Sequence, residues 1–136
     1  LVDIAEYMAA ADAAKGQVVA KKCAVCHDFT KGGPDKTGPN LWNVLGGPKA
    51  HSSGYAYTDA FKALGGKWTY QELSEFITAP SKFVKGTKMA AFMGLKKPED
   101  RADVIAYLRS LSDSPVPLPP APAKPAAAEA EAAPTE

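Results

Sequence analysis

Apolar residues recur every three or four positions near residue 105, which is the spacing of one face of an α-helix. Val104, Ile105 and Leu108 form this stripe, and Leu111 extends it. Pro98 stands where the helix would begin, and a proline suits the first helical position because no N–H partner is needed there. The pattern therefore predicts an amphipathic helix from Pro98 that buries its apolar stripe.

A second helix is predicted over residues 69–78. Thr69 and Glu72 have the spacing of a capping box, in which each side chain accepts a hydrogen bond from a free N–H group of the first turn. Pro80 is expected to stop the helix, because the residue before a proline disfavours helical geometry. The apolar face of this helix consists of Leu73, Phe76 and Ile77.

The chain before residue 23 predicts one more helix. Asp12 is a suitable N-cap because its carboxylate can accept hydrogen bonds from the first turn. The helix is expected to run to about Lys22, with Val18 and Val19 as its apolar contacts. Residues 4–11 are rich in alanine and are expected either to extend this helix or to lead into it.

Residues 28–51 show no sustained period and are rich in Gly, Pro and Asn. An ordered loop of this length usually serves a function or wraps around something. A short helix is expected later, with Thr58 as its N-cap. No β-strand pattern and no internal repeat is present, so we expect an all-α fold. Its few helices offer little core, which suggests that a large apolar group fills the middle.

After Asp113 the composition changes to Pro, Ala and Glu, without any aromatic residue. Such a segment cannot bury enough apolar surface to offset the entropy lost on ordering. No run of about 18 apolar residues is present, so no membrane span is predicted. We divide the chain into a lead-in segment, a folded domain and a disordered tail, over residues 1–11, 12–113 and 114–136.

The formal net charge of +1 conceals an uneven distribution. Between Lys15 and Arg109 there are 15 Lys or Arg residues against 8 Asp or Glu residues, whereas both flanking segments are acidic. A basic domain is suited to an acidic partner. Nucleic acid is not expected, because no arginine-rich or aromatic-interleaved stripe is present.

Cys23, Cys26 and His27 form the C-x-x-C-H sequence that is typical of covalent haem attachment. Two thiols at this spacing reach two vinyl groups on one side of a porphyrin, and the histidine next to them then lies over the iron. A thioredoxin-type motif would need a βαβ context, which is not visible. A zinc site would need four ligands, and beyond the three residues of the motif only His51 remains among the usual donors. The motif therefore predicts one covalent haem c with His27 as an iron ligand.

Further segments follow this motif in an order that resembles class I cytochromes c over roughly residues 12–112. Mitochondrial and alphaproteobacterial types, including membrane-anchored ones, are the most similar. The resemblance implies the class I fold, in which three to five helices and long loops surround one haem. The matching segments are Lys31-Gly32-Gly33, Thr37-Gly38-Pro39-Asn40-Leu41, Gly54-Tyr55-Ala56-Tyr57-Thr58-Asp59-Ala60, Trp68-Thr69, Gly86-Thr87-Lys88-Met89, Leu95-Lys96-Lys97 and Ile105-Ala106-Tyr107-Leu108.

The resemblance also implies roles for single residues. The carbonyl of Pro39 would accept a hydrogen bond from the His27 ring and fix its tautomer. Met89 would be the second iron ligand, and it is preferred to Met93 because it directly follows Gly-Thr-Lys. A methionine sulfur favours ferrous iron and so raises the potential. The haem propionates would be bound by Trp68, Tyr57 and Thr87.

Three positions depart from the family pattern. Phe76 stands where relatives often carry a tyrosine near the methionine sulfur, and Gly47 where many carry an arginine that faces a propionate. Phe61 replaces a common asparagine. The N-terminal helix also lacks the aromatic residue that often packs against the last helix. Because the changes alter the polarity around the iron, the potential cannot be transferred from the family.

Two axial ligands leave no open iron position for a substrate, which favours an electron carrier over an enzyme. The resemblance implies that a monomer carries single electrons from a bc1 complex to a cytochrome c oxidase, or to a photosynthetic reaction centre. Haem is attached outside the bacterial cytoplasm or in the mitochondrial intermembrane space, and we expect the bacterial periplasm, with an N-terminal anchor as one option. Partners would meet a ring of lysines: Lys22, Lys36, Lys82, Lys85, Lys88 and Lys96.

Two other interpretations stay open. A haem protein without a methionine ligand would have an open iron site and could act as a peroxidase-like enzyme or as a ligand sensor. The domain could also belong to a larger redox assembly, with the Pro/Ala segment as its linker.

Overall fold

The computed structural model describes residues 2–52, 55–89 and 92–119. In these ranges the only strand-like pairing is one antiparallel bridge, between Pro48 and Lys67, and the all-α prediction is confirmed. None of the helices in the described part of the chain is long and apolar enough to cross a membrane. The elements are α1 Ala5–Met8, α2 Ala13–Val19, a 3₁₀ turn Ala20–Lys22, α3 Asp59–Lys62, α4 Tyr70–Thr78, α5 Pro80–Phe83 and α6 Pro98–Ser110.

The four predicted helix starts are confirmed, three of them by side-chain caps. The Asp12 carboxylate accepts hydrogen bonds from two N–H groups of the first turn of α2, at 2.9 and 3.2 Å. The hydroxyl oxygens of Thr58 and Thr69 each accept from the N–H group three positions on, at 3.1 and 3.0 Å. Pro98 is the first residue of α6. Each of the three caps joins residues within one helical turn.

The lead-in segment is part of the packed domain. Residues 4–11 do not extend α2, because Asp12 has extended backbone angles and interrupts the helix. They contain the separate helix α1, and the side chains of Ile4 and Met8, at its two ends, are buried in the core. The Ile4 N–H group donates to the Gln71 side chain at 2.9 Å. A domain boundary at residue 12 is therefore too late.

Helices α2 and α6 cross at Gly16. A Cβ atom on Gly16 would lie 1.8 Å from the carbonyl oxygen of Asp103, so the two backbones are in contact. Val18, expected to be an apolar contact of α2, is 61% exposed, and this prediction is wrong. Val19 is partly buried against the core. The close crossing turns Val18 away from α6.

The aromatic contact to α6 comes from the loop that follows the cysteines. Phe29 meets Tyr107 edge-on, with 5.8 Å between the ring centroids. The sequence correctly indicated that α2 lacks an aromatic residue, but the loop supplies one from outside the helix.

Arg101 is a buried charge that joins α6 to α4. Its Nε donates to the hydroxyl of Ser74 at 2.9 Å, and its Nη1 donates to the carbonyls of Leu95 and Lys96 at 3.0 and 3.1 Å. Burial lowers the pKa of Arg101, although a guanidinium stays protonated at neutral pH. The residue therefore fixes the chain shortly before α6 begins.

The packed region also continues beyond residue 113. Val116 packs against the core, and its carbonyl accepts from Arg109 Nε at 2.6 Å. The Tyr70 hydroxyl donates to the carbonyls of Val116 and Pro117, at 3.2 and 3.0 Å. These contacts extend the packed region past the predicted boundary at 113, because donors from α4 and α6 hold this backbone. The remaining part of the predicted tail, 120–136, lies outside the described residues.

Gly16→Ala is expected to lower the free energy of unfolding by about 2–3 kcal/mol, because its Cβ would force the two backbones apart. At an unconstrained helix position the same change stabilises the protein by roughly 0.5–1 kcal/mol. The sign of the change in unfolding free energy therefore distinguishes a tight crossing from an open position. Urea unfolding of the haem-loaded protein measures the effect. Lys15→Ala, at the exposed neighbouring position, should change the value by less than about 0.5 kcal/mol. A more stable Gly16→Ala variant would contradict the tight crossing.

Candidate haem site

An apolar cavity opens between the long loop, α4 and α6. The loop, α4 and α6 each contribute aliphatic or aromatic walls, among them Leu41, Val44, Leu73, Phe76, Val104 and Leu108. Two residues of the stripe predicted on α6 therefore face the cavity, while Ile105 is completely buried. A surface of this kind is suited to a large, flat, apolar group.

Cys23, Cys26 and His27 lie in one tight turn after the 3₁₀ segment and all line the cavity. The N–H groups of Cys26 and His27 both donate to the Cys23 carbonyl, at 3.0 and 2.9 Å. The two half-buried cysteines are not joined by a disulfide. Burial, followed by the neighbouring Cys26, raises the pKa of the Cys23 thiol.

The His27 ring is fixed by its neighbours. Its Nδ1 lies 2.7 Å from the Pro39 carbonyl oxygen, which can only accept, so Nδ1 carries the proton. Burial lowers the pKa of His27, which favours the neutral ring with its lone pair on Nε2. A Cβ atom on Gly38 would lie 2.4 Å from the ring, so only glycine fits beside it. The imidazole is thus prepared to bind a metal through Nε2.

Met89 lines the same cavity, on the segment that follows α5. Its N–H group donates to the hydroxyl oxygen of buried Thr87 at 3.2 Å, which ties the methionine segment to the cavity wall. Met93 is 79% exposed and is not among the residues that line the cavity. Of the two methionines proposed from the sequence, the structure therefore brings Met89 into one cavity with His27.

An aromatic cluster closes another part of the cavity. Trp68 is buried, and its ring centroid lies 5.3 Å from that of Phe76 and 6.0 Å from that of Phe61. Tyr57 stacks on Phe61 at 5.2 Å. Its hydroxyl oxygen accepts from the Ser52 N–H at 3.0 Å, and burial raises its pKa, so the phenol keeps a proton to donate. Phe61 and Phe76, noted as departures from the family pattern, extend this apolar packing.

These residues fit a covalently held haem. Two thiols, an imidazole with a free Nε2 and a thioether surround one apolar cavity, which matches the attachment and ligand set of a c-type centre. A zinc centre is not supported, since no group of three His, Cys, Asp or Glu side chains within 2–52, 55–89 and 92–119 could hold a metal ion.

The cytochrome c family model matches residues 13–112. The chain belongs to the cytochrome c family. It is 46% identical over 117 residues to a cytochrome c homolog of Bradyrhizobium diazoefficiens, an alignment that covers 85% of this chain and 63% of the relative. A cytochrome c homolog of Rickettsia bellii is 47% identical over 109 residues, with coverages of 80% and 62%. Cytochrome c of Theileria parva is 47% identical over 102 residues, with coverages of 74% and 87%.

The chain thus spans 62–63% of the length of the two bacterial relatives. As a member of the cytochrome c family it binds one covalent haem c. The similarity covers the cavity and both of its predicted iron ligands, because the matched range 13–112 contains them.

Lysine side chains lie at the cavity. Lys22 and Lys88 line the cavity itself. Lys36 extends over the cysteine turn, where its Nζ donates to the Ala24 carbonyl at 3.0 Å. The six lysines of the predicted ring, which are all exposed, are Lys22, Lys36, Lys82, Lys85, Lys88 and Lys96.

A polar group that no sequence pattern indicated holds the long loop together. The Asp35 carboxylate accepts from the Asn40 N–H at 2.8 Å and from the Ser52 hydroxyl at 2.7 Å. A ring nitrogen of His51, another cavity residue, lies 2.7 Å from the Asn40 carbonyl. Pro39 therefore lies inside a closed polar network. The five-residue spacing of Asp35 and Asn40 was the only local signal, because Ser52 comes from the far end of the loop.

Asp35→Asn is expected to make the stability of the protein less sensitive to acid. The hydrogen bonds from Asn40 and then Ser52 hold the pKa of Asp35 below its usual 3.8. The unfolded state therefore binds this proton first, so the stabilisation is present above pH 3.8 and is lost as the pH falls through the lower folded pKa.

Urea unfolding as a function of pH, from neutral to strongly acidic, measures this dependence. At acidic pH, the free energy of unfolding should change less steeply with pH in Asp35→Asn than in the native protein. Ser52→Ala, which removes one of the two hydrogen bonds, should give an intermediate slope. If Asp35→Asn left the acid slope unchanged, the network would not hold the loop through its charge.

Proposed function

We propose that this domain is a single-electron carrier whose haem is attached to Cys23 and Cys26 and ligated by His27 and Met89. The observation that carries the proposal is that His27 and Met89, from distant segments, line one apolar cavity. When bound, the haem supplies a one-electron couple between ferric and ferrous iron. If His27 and Met89 both bound the iron, no iron position would be left for a substrate, which supports a carrier and not an enzyme.

The protein contributes positioning and the exclusion of water. Pro39 holds the proton of the His27 ring, so that Nε2 keeps the free lone pair. Thr87 holds the backbone of Met89. The apolar walls limit access of water to the iron, which disfavours the more highly charged ferric form and raises the potential. A carrier benefits from such a rigid site because its geometry changes little when the electron arrives.

We further propose that Trp68, Tyr57 and Thr87 donate hydrogen bonds to the haem propionates. All three side chains line the cavity, and Trp68 and Thr87 are buried. A carboxylate in such surroundings needs donors, since a buried charge without hydrogen bonds is strongly unfavourable. The indole N–H, the phenol and the threonine hydroxyl are the donor types that this requires.

The partners that fit this surface are acidic redox proteins, and we propose a bc1-type complex as donor and a cytochrome c oxidase as acceptor. The exposed lysines around the cavity support electrostatic steering, which speeds encounter without a large contact area. A monomer that releases quickly suits repeated turnover. Because haem c is attached outside the cytoplasm, and because two of the relatives are bacterial, we propose the periplasm as its location.

An absorption spectrum of the haem-loaded protein tests the ligand set. We expect sharp low-spin bands in the reduced protein and the weak far-red band of iron–sulfur ligation in the ferric protein. Met89→Ala should remove the far-red band and open the iron to cyanide or carbon monoxide. Met93→Ala is the matched control and should leave both properties intact.

The opposite result for the two methionines would assign the ligand to Met93. If the unmodified protein were high-spin and bound carbon monoxide readily, the carrier proposal would be wrong. A peroxidase-like enzyme or a ligand sensor would then be the better interpretation.

Charge reversal at the cavity edge tests the partner surface. Lys22→Glu should slow electron transfer to purified cytochrome c oxidase by roughly 3- to 10-fold at low ionic strength, because one steering charge changes sign. The difference should disappear as salt is added. Lys15→Glu, an equal change in the first turn of α2, is the control. Equal slowing by both variants would show that net charge, and not this surface, sets the rate.

A further inference from the structure

Lys49 carries a charge that is almost excluded from solvent. Its side chain is 5% exposed, whereas that of Glu72, its ion-pair partner at 3.0 Å, is 40% exposed. Lys49 Nζ also donates to the Gly65 carbonyl at 3.0 Å. A buried ammonium is costly unless it is paired and hydrogen-bonded, so these two acceptors allow the charge to remain inside the protein.

The ammonium lies over the ring of Trp68, 5.3 Å from its centroid, within the range of a cation–π contact. Trp68 is a buried wall of the haem cavity. The backbone holds the two residues together, because Lys49 N–H donates to Gly66 and Trp68 N–H donates to Gly47, both at 2.9 Å. Lys49 is not itself among the cavity residues. Its ammonium therefore meets the wall of the cavity at the indole of Trp68.

The two charges of the pair are not equivalent. Lys49 is surrounded by protein, where charges interact strongly, whereas Glu72 is partly solvated and its field is screened by water. The positive charge should therefore dominate the field inside the cavity. Reduction adds one electron to the haem, so a nearby positive charge stabilises the reduced state.

We propose that Lys49 is a positioning residue that holds Trp68 against the haem cavity and that its buried charge raises the midpoint potential of the haem. The inference rests on the proposed function, because it assumes a redox-active haem in this cavity. The charge that raises the potential would thus lie in the long loop, at a residue that no sequence pattern indicated.

A purely structural role makes a different prediction. Lys49 and Glu72 connect the long loop to the first turn of α4, and breaking this contact from either side would loosen Trp68 equally. If the contact had only this structural role, both variants would shift the potential in the same direction, or neither variant would shift it. A tuning charge shifts it in opposite directions, because one variant removes a positive charge and the other a negative one.

The experiment is spectroelectrochemical titration of the haem-loaded Lys49→Gln and Glu72→Gln variants. At a fixed applied potential, Lys49→Gln should lower the ferrous-to-ferric ratio by at least about threefold, and Glu72→Gln should raise it by a smaller factor. Lys49→Arg keeps the charge and should restore the native ratio. Lys67→Gln, an exposed lysine next to Trp68, is the matched control and should leave the ratio unchanged.

Shifts in the same direction, or no shift in Lys49→Gln, would overturn the inference, and so would an equal shift in Lys67→Gln. The spectrum of the unmodified protein separates this failure from that of the proposed function. If the protein is low-spin and its potential does not change in Lys49→Gln, only the inference about Lys49 is overturned. If the protein is high-spin and binds carbon monoxide, the electron-carrier proposal is overturned.

Discussion

The burial of one large apolar group in the cavity between the long loop, α4 and α6 is the constraint on which the rest of this structure depends. Three of the helices, α1, α3 and α5, have four residues each, and helices of this length are not stable alone in water. They are ordered by packing on the rest of the domain, since α1 contacts α6, α5 contacts α4, and Phe61 of α3 lines the cavity. In a family that binds its haem covalently, that group acts as part of the core and stays in place during function.

The two predicted iron ligands are each held by a hydrogen bond to a neighbouring protein group. The His27 ring is fixed by Pro39, and the backbone of Met89 is fixed by Thr87. The loop that carries Pro39 is in turn closed by Asp35. An apolar interior strengthens these hydrogen bonds and penalises their loss. The result is a site that is organised before an electron arrives.

Charge is divided between the surface and the interior. Exposed lysines near the cavity are each screened by solvent, and we propose that they act on the encounter with a partner as a group. Lys49 and Arg101 are buried, and each is surrounded by acceptors. We propose that the first set speeds the arrival of a partner and that Lys49 affects the field around the haem, whereas Arg101 joins α6 to α4. Net charge alone would not distinguish these two roles.

The sequence by itself determined the features that depend on neighbouring residues. Asp12, Thr58 and Thr69 mark helix starts because a cap acts within one turn, and Pro98 marks one because a proline suits the first helical position. The C-x-x-C-H motif identifies the haem chemistry because its two attachment thiols and its iron-binding imidazole lie within five residues. Cys23, Cys26 and His27 were found in this way. The other residues of the candidate site followed from the resemblance to class I cytochromes c, and their roles stay predictions: Pro39, Tyr57, Trp68, Thr87 and Met89.

Only the tertiary structure decided which distant segments meet. Gly16, and not Val18, forms the contact with α6, because the approach of two backbones depends on their crossing point. Val116 joins the domain because donors from two helices reach its carbonyl, although its composition resembles a disordered tail. Lys49 lies behind Trp68 because two loop segments pair. These contacts join residues that are far apart in the chain, so no local pattern encodes them.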